Sequence, residues 1–517
     1  MKRRAFLQTG AAACLSGCAE KTYVITGGIV GANAAAGHWL RDLKAPPAPS
    51  RTVQTDVLIA GSGMSGLVAA HHLRQAGVQN ITLLDLESQT GGNARSGSNA
   101  ISAYPWGAHY VPVPGADAVE VRQLFEELGI ITGHDAAGRP QYEETFLCAD
   151  PQERLFIHGV WQEGLAPNLS LSESERAEME RFTSFINDLR QKRGSDGRRV
   201  FTIPLDQSSR DPAWIALDAM TMEAWMQREG YTSRPLRWYV NYCCRDDYGA
   251  GIAEVSAWAG LHYFASRDEG DLVTWPAGNG WLVQQLMKRL EGVAFQQAVV
   301  FHLEENGTGI VAHAYLPATG ECVRWNARAA VCAMPHFVAQ RVVAGLATSP
   351  MLQYSPWAVA NLTWQGRSPE AWDSVFYENP HRSLGYVSAT HQSLDLSQHQ
   401  TVLTWYRPLD DAPPPQARQE ALSKPWTAWR DDIVADLSNA HPEAPTRISN
   451  IDVMLWGHGM IRPVPGFIWG RERENLAAPK GRIAFAHTDL SGISIFEEAC
   501  TRGASAARLV RNWLDHA

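Results

Sequence analysis

Lysine is scarce in this 517-residue chain, and none lies between Lys288 and Lys424. Any site built by that stretch therefore works without an ε-amine. Cysteine is also sparse. The 8 cysteines match no metal-ligand spacing, which excludes a zinc-ribbon or zinc-finger reading. There is no excess of positive charge: 45 lysines and arginines face 54 acids, so a nucleic-acid partner is not expected. No apolar run is long enough to span a bilayer. What remains is an ordinary globular composition, 45% hydrophobic and 19% charged, in a chain long enough for two domains.

The most informative stretch is Thr55 to Gly97. The apolar run Val57–Ala60 leads into Gly61, Gly63 and Gly66, a helical pattern starts at Met64 and Ser65, and a second apolar run, Ile81–Leu84, ends in Asp85. This is the strand–turn–helix–strand order of a dinucleotide-binding unit. Gly61 permits the tight turn, Gly63 lets a pyrophosphate approach the backbone, and Gly66 lets the helix lie close to the sheet. The helix N-terminus offers free N–H groups to phosphate. Asp85 stands near the spacing expected for the acid that accepts ribose hydroxyls.

The segment that follows, Asp85-Leu86-Glu87-Ser88-Gln89-Thr90-Gly91-Gly92-Asn93-Ala94-Arg95, resembles the flavin-containing amine oxidase and phytoene desaturase superfamily. The resemblance implies FAD, with Gly92 passing the phosphates and Arg95 contacting the diphosphate. It extends to Trp106-Gly107-Ala108-His109, a stretch expected beside the flavin ring, and to Val299 in a strand meander, expected beside adenine. At the C-terminus, Asp489 is expected on the ribityl chain and Ile493 near the start of a helix facing diphosphate and pyrimidine. The implied fold is α/β: a Rossmann-like FAD-binding domain, with parallel sheet, helices and meander, plus a discontinuous α+β cap. The expected boundaries are 51–116, 272–345 and 450–517 for the FAD domain, and 117–271 and 346–449 for the cap.

Residues 1–18 read as a targeting segment, with Arg3-Arg4 as a twin-arginine pattern and Leu15-Ser16-Gly17-Cys18 as a lipobox. A periplasmic enzyme, exported already folded and anchored by lipid on Cys18, is the expectation. Folding in a reducing compartment needs no disulfides, so Cys148, Cys243, Cys244, Cys322, Cys332 and Cys500 are expected to be free. Residues 19–50 read as a tether, closing in Ala45-Pro46-Pro47-Ala48-Pro49.

The expected function is hydride transfer from an amine or polyamine to flavin N5. An apolar substrate of a desaturase or isomerase is the alternative, and a flavin-bound partner protein without activity is the third reading. The lysine that many relatives carry in the first strand of the cap sheet is missing from Trp357–Gln365. Oxygen and a quinone both stay open as electron acceptor. His458 and His109 are candidate acid–base groups, Arg462 is a candidate carboxylate anchor, and Tyr242 is a candidate pocket wall. Asp246 and Asp247, on the same stretch as Tyr242, are candidate anchors for a cationic substrate, or else partners of Arg245.

Overall fold

The computed structural model describes residues 24–516 apart from 268, 269, 308, 368 and 396. The signal and lipobox lie outside the described residues. Five strands form a parallel sheet in the order Ala294–Gln297, Ile81–Asp85, Val57–Ala60, Ala329–Cys332 and Ile483–Phe485, the last three buried throughout. Runs such as Val57–Ala60, apolar at every position, suit a sheet covered on both faces. The helix Met64–Gln75 lies on one face against the C-terminal helix Phe496–Asp515. There Gly503 brings its backbone onto Ser65, where a Cβ would collide. A meander of Val299–Asn306, Gly309–Leu316 and Glu321–Ala327, extended by Arg51–Gln54, covers the other face.

A second sheet of eight strands runs Thr26–Ile29, Ile448–Ile461, Tyr354–Gln365, Gln400–Pro408, Gly385–Ser388, Asp373–Phe376, Glu153–Ile157 and Val160–Glu163. Alternation sorts its side chains. Ala358, Ala360, Leu362 and Trp405 pack against the helices Pro414–Ser423 and Trp426–Ser438. Trp357, Val359, Tyr406 and Met454 face the opposite way, into a core shared with the helices Glu173–Gln191, Arg234–Tyr248 and Ala257–Ala265. Ser172 opens the first of these through a capping box with Glu175, as its sequence predicts.

The domain boundaries differ from those expected. Ile448–Ile461 is a central strand of the second sheet, paired with Tyr354–Gln365, rather than the start of the dinucleotide domain. The helix Val119–Glu127 belongs to the dinucleotide domain, because Val121, Leu124 and Phe125 complete its core and Phe125 meets Phe496. Residues 24–42 are not a free tether: they form the strand Thr26–Ile29 and the helix Ala34–Asp42. Local composition concealed this, since both elements are made mostly of small residues and are held by partners distant in sequence. The six cysteines among the described residues are free and buried.

Candidate cofactor cradle and active-site chamber

All five parallel strands end at the same edge, and the strand order reverses beside Val57–Ala60, the position where such sheets bind ligands. The glycine turn leaves that strand with Gly61 at φ 106, and a Cβ there would meet the Ala333 carbonyl at 2.6 Å. A Cβ on Gly66 would overlap the Gly61 carbonyl oxygen, whereas one on Gly63 would meet nothing within 4 Å. Gly63 caps the helix Met64–Gln75 with no side-chain acceptor, so the first N–H groups face open space. Gly91 and Gly92, both at positive φ, lie against this loop, with Gly91 N donating to Ser62 O at 2.8 Å. Met64 and Ser65, in the first turn, are buried.

Asp85 holds the loop itself: its Oδ2 accepts from Ser62 N at 2.6 Å and Ser62 Oγ at 2.7 Å, and its Oδ1 accepts from Glu87 N at 2.8 Å. Burial raises its pKa against those hydrogen bonds. Arg95 is buried, pairs with Glu87 Oε2 at 3.0 Å, lies over the Trp456 ring and leaves Nε without a partner. Its charge is thus paired with Glu87, a pairing that motif reading did not suggest. Ala298 N donates to Asp85 O at 2.6 Å, which sets the buried Val299 beside the end of that strand.

Asp489 is buried beyond the edge strand Ile483–Phe485, three strands from Asp85. Its Oδ2 accepts from His336 N at 2.7 Å and from Tyr354 Oη at 2.6 Å. Burial alone would raise its pKa, but His487, Tyr354 and the His336 amide hold it below the usual carboxylate range. Its Oδ1 lies 3.0 Å from His487 Nδ1 yet has no hydrogen bond. These features fit a dinucleotide: an unfilled approach at Gly63, a bare helix N-terminus, and buried polar atoms on Arg95 and Asp489 that lack protein partners.

The C-terminal helix begins at Phe496, three residues beyond Ile493. Its first turn carries Glu497 and Glu498, and Glu498 accepts from Leu205 N and Ser491 Oγ. Burial raises the pKa of both glutamates, that of Glu497 to about 7. Ile493 is fully buried in the core shared with Ile468, behind Gly492.

From the cradle, the segment carrying Trp106 and His109 leads into a second space. Trp106 N donates to Arg95 O at 3.0 Å, and Trp106 O accepts from Trp456 Nε1 at 2.6 Å. His109 Nδ1 lies 3.0 Å from Gly107 O, so that nitrogen holds the proton. Burial pushes its pKa down to about 4, which keeps the ring neutral at pH 7. The ring sits 5.3 Å from Tyr406 and 5.6 Å from Trp372. Tyr406 Oη donates to Asp373 at 3.0 and 3.1 Å.

Asp373 lies directly across from Glu153 on the neighbouring strand. Burial raises both, and Glu153 and Asp246 push Asp373 further up. Asp246 is pushed up to about 7, by burial first and by Asp247 next. Its surface is not wholly lost. Trp238, Tyr242 and Asp246 follow each other at helical spacing on Arg234–Tyr248, so they line one wall. Tyr242 stacks on Trp238 at 5.6 Å and borders a groove of about 160 Å³ that also touches Asn241, Arg245, Glu378 and Arg382.

Asp247 is no free anchor, because Arg267 binds it at 2.8 and 3.0 Å. Arg245 pairs with Asp410 rather than with its helix neighbours. Arg462, expected to anchor a substrate carboxylate, is committed to the protein: it donates to Ser355 Oγ at 2.7 Å, Glu254 at 2.9 Å and Gly249 O at 3.5 Å. It clamps the cap to the sheet. His458 stacks on Phe337 at 4.1 Å and neighbours Tyr354, on the Asp489 side, apart from the rings around His109. Burial and Arg418 lower its pKa to about 4. Asp373, Glu153 and Tyr406 escaped sequence reading because each sits in a strand pattern; an acid opening the apolar run Asp373–Phe376 was the available signal.

The comparisons agree with this architecture. The NAD(P)-binding Rossmann-like domain family matches residues 59–128. No curated protein matches by sequence. The fold is shared with several solved structures of low sequence identity. A putrescine oxidase bound to putrescine superposes with a TM-score of 0.63 at 16% identity, over 88% of this chain and 99% of the other. Cyclohexylamine oxidase from Brevibacterium oxydans gives 0.63 at 16%, over 89% and 99%. A fatty acid isomerase from P. acnes gives 0.61 at 14%, over 87% and 97%.

Proposed function

We propose that this chain is an FAD-dependent oxidoreductase that oxidises an amine or polyamine. The observation that carries the reading is the cluster in which Asp246, Asp373 and Glu153 lie among Tyr242, Tyr406 and the neutral ring of His109. An aromatic wall with buried carboxylates suits a substrate that brings positive charge and carbon chain together. The same carboxylates disfavour a fatty acid, whose own anion would add to the repulsion.

Bound FAD would accept the hydride lost from the substrate carbon. Gly63 and the bare helix N-terminus would hold its diphosphate, Asp85 and Val299 its adenosine end, and Asp489 its ribityl chain. The chain's own groups prepare the substrate. Three carboxylates this close cannot all be ionised without a cation, so an entering ammonium is favoured over water. Asp246, with its pKa near neutrality, takes a proton from the ammonium at a carboxylate oxygen, leaving the amine nitrogen neutral and its lone pair free. Tyr406 holds Asp373 in place, and the surrounding rings exclude water. With no lysine in Tyr354–Gln365, this strand's buried polar side chains include Asn361, occupied with Pro105 O and Thr404, and Ser355, occupied with Tyr248 O and Arg462.

Anaerobic mixing with diamines, monoamines and a fatty acid tests the reading. Amines should bleach the flavin absorbance, and bleaching by the fatty acid alone would overturn it. Export and a lipid on Cys18 are part of the same proposal, supported by Arg3-Arg4 and the lipobox. Cys18→Ala should move the protein from the detergent phase to the aqueous phase.

A further inference from the structure

The segment 26–42 crosses from one domain to the other, and its path follows the nucleotide end of the cradle. Thr26–Ile29 adds a parallel edge strand to Ile448–Ile461, and Val30 N donates to Val453 O at 2.8 Å. A Cβ on Gly27, at φ 133, would overlap the Ile451 carbonyl, so the strand approaches its neighbour closely there. Asn33 N then donates to Glu87 Oε1 at 2.8 Å, and the Asn33 side chain caps the helix Ala34–Asp42 through Ala36 N at 3.1 Å. On that helix Trp39 stacks on Tyr315 at 4.8 Å.

Both contacts are made to groups one step from the cradle. Glu87 holds Arg95 through its other oxygen. Tyr315 is the cross-strand partner of Val299. We propose that residues 26–42 form a latch that retains the dinucleotide, closing over the cradle between the Glu87–Arg95 pair and the Val299–Tyr315 pair. The proposal rests on the flavin reading above. A ligand under such a latch leaves only when the Trp39 stack and the Asn33–Glu87 bond open together, so the latch acts on release more than on capture. Glu87 is here a positioning residue: it transmits the segment's position to Arg95 without touching the dinucleotide itself.

The test uses the full chain loaded with FAD and two variants. Trp39→Ala removes the stack. Asn33→Pro removes the N–H donated to Glu87 at a φ of −71 that proline adopts. FAD release is followed by the rise of flavin fluorescence on dilution, and the melting temperature of the FAD-free protein is measured beside it. Release should quicken by about tenfold or more in each variant, with melting of the FAD-free protein shifted by no more than about 2–4 °C. Release at the wild-type rate in both variants overturns the latch while leaving the flavin reading intact. So does faster release accompanied by an equal loss of stability without FAD, which marks a support of the fold. Wild-type protein that takes up no FAD overturns both.

Discussion

Two glycines of one loop should fail in different ways, and the difference tests the cradle. Gly66 has no room: a Cβ would overlap the Gly61 carbonyl oxygen and come within 3.2 Å of Ala333 Cβ. Both neighbours are fixed in the sheet, so Gly66→Ala must push the helix Met64–Gln75 away from it. Overpacking of this kind costs roughly 1–3 kcal/mol. Gly63 has room: its φ of −67 and ψ of 178 suit any residue, and a Cβ there meets no protein atom within 4 Å. Gly63→Ala therefore loses only the modest advantage of glycine over alanine at a helix N-cap, under about 1 kcal/mol. The methyl group does stand where a phosphate must approach the N–H groups. Displacing one charge-assisted hydrogen bond costs about 1.5–3 kcal/mol, a roughly 10- to 100-fold loss of FAD affinity. Thermal melting of the FAD-free protein and flavin titration separate the two effects. If Gly63→Ala binds FAD like the wild type, or loses as much stability as Gly66→Ala, the cradle is misassigned.

Asp246 gives a pH signature. Its folded pKa of about 7 stands above the unfolded value near ~3.9, so it favours the folded state at low pH and loses that contribution as pH rises from about 4 to about 7. Asp246→Asn should raise the melting temperature more at pH 8 than at pH 4, and raise KM for a diamine; a pH-independent shift in melting would refute the chamber's electrostatics. Arg462→Gln should cost roughly 1–3 kcal/mol by leaving Ser355 Oγ and the Gly249 carbonyl without their donor, while the half-exposed Glu254 turns to water, and urea unfolding should report this with flavin affinity unchanged. Asp489→Asn should weaken FAD binding while removing a carboxylate whose lowered pKa stabilises the fold above the unfolded pKa and fails as pH falls below it. The acid limb of its stability curve should flatten.

The local features of the cradle were legible in the chain because each needs only neighbouring residues. A turn with φ above zero requires glycine, a bare helix start follows the turn, and a buried parallel strand reads as unbroken apolar residues, so Gly61, Gly63, Gly66 and Asp85 declared themselves. Motif likeness gave Arg95 and Asp489 their places but not their partners. Glu87 and Tyr354 reach those two residues across folds of the chain that no spacing rule encodes.

The chamber was decided by tertiary structure. Asp373 and Glu153 are 220 residues apart and meet only through strand register, and Tyr406 reaches Asp373 from a third strand. The fate of the charged candidates was settled the same way. Asp246 and Asp247 are adjacent in sequence, yet the helix turns Asp247 to Arg267 and Asp246 to the chamber. Arg462 was read as an anchor, but Ser355, Glu254 and Gly249 converge on its guanidinium. The chain alone fixes what each backbone segment can become, because torsion preference and burial pattern are local. Which buried charge is neutralised and which stays free depends on what packs beside it, and that is a property of the assembled fold.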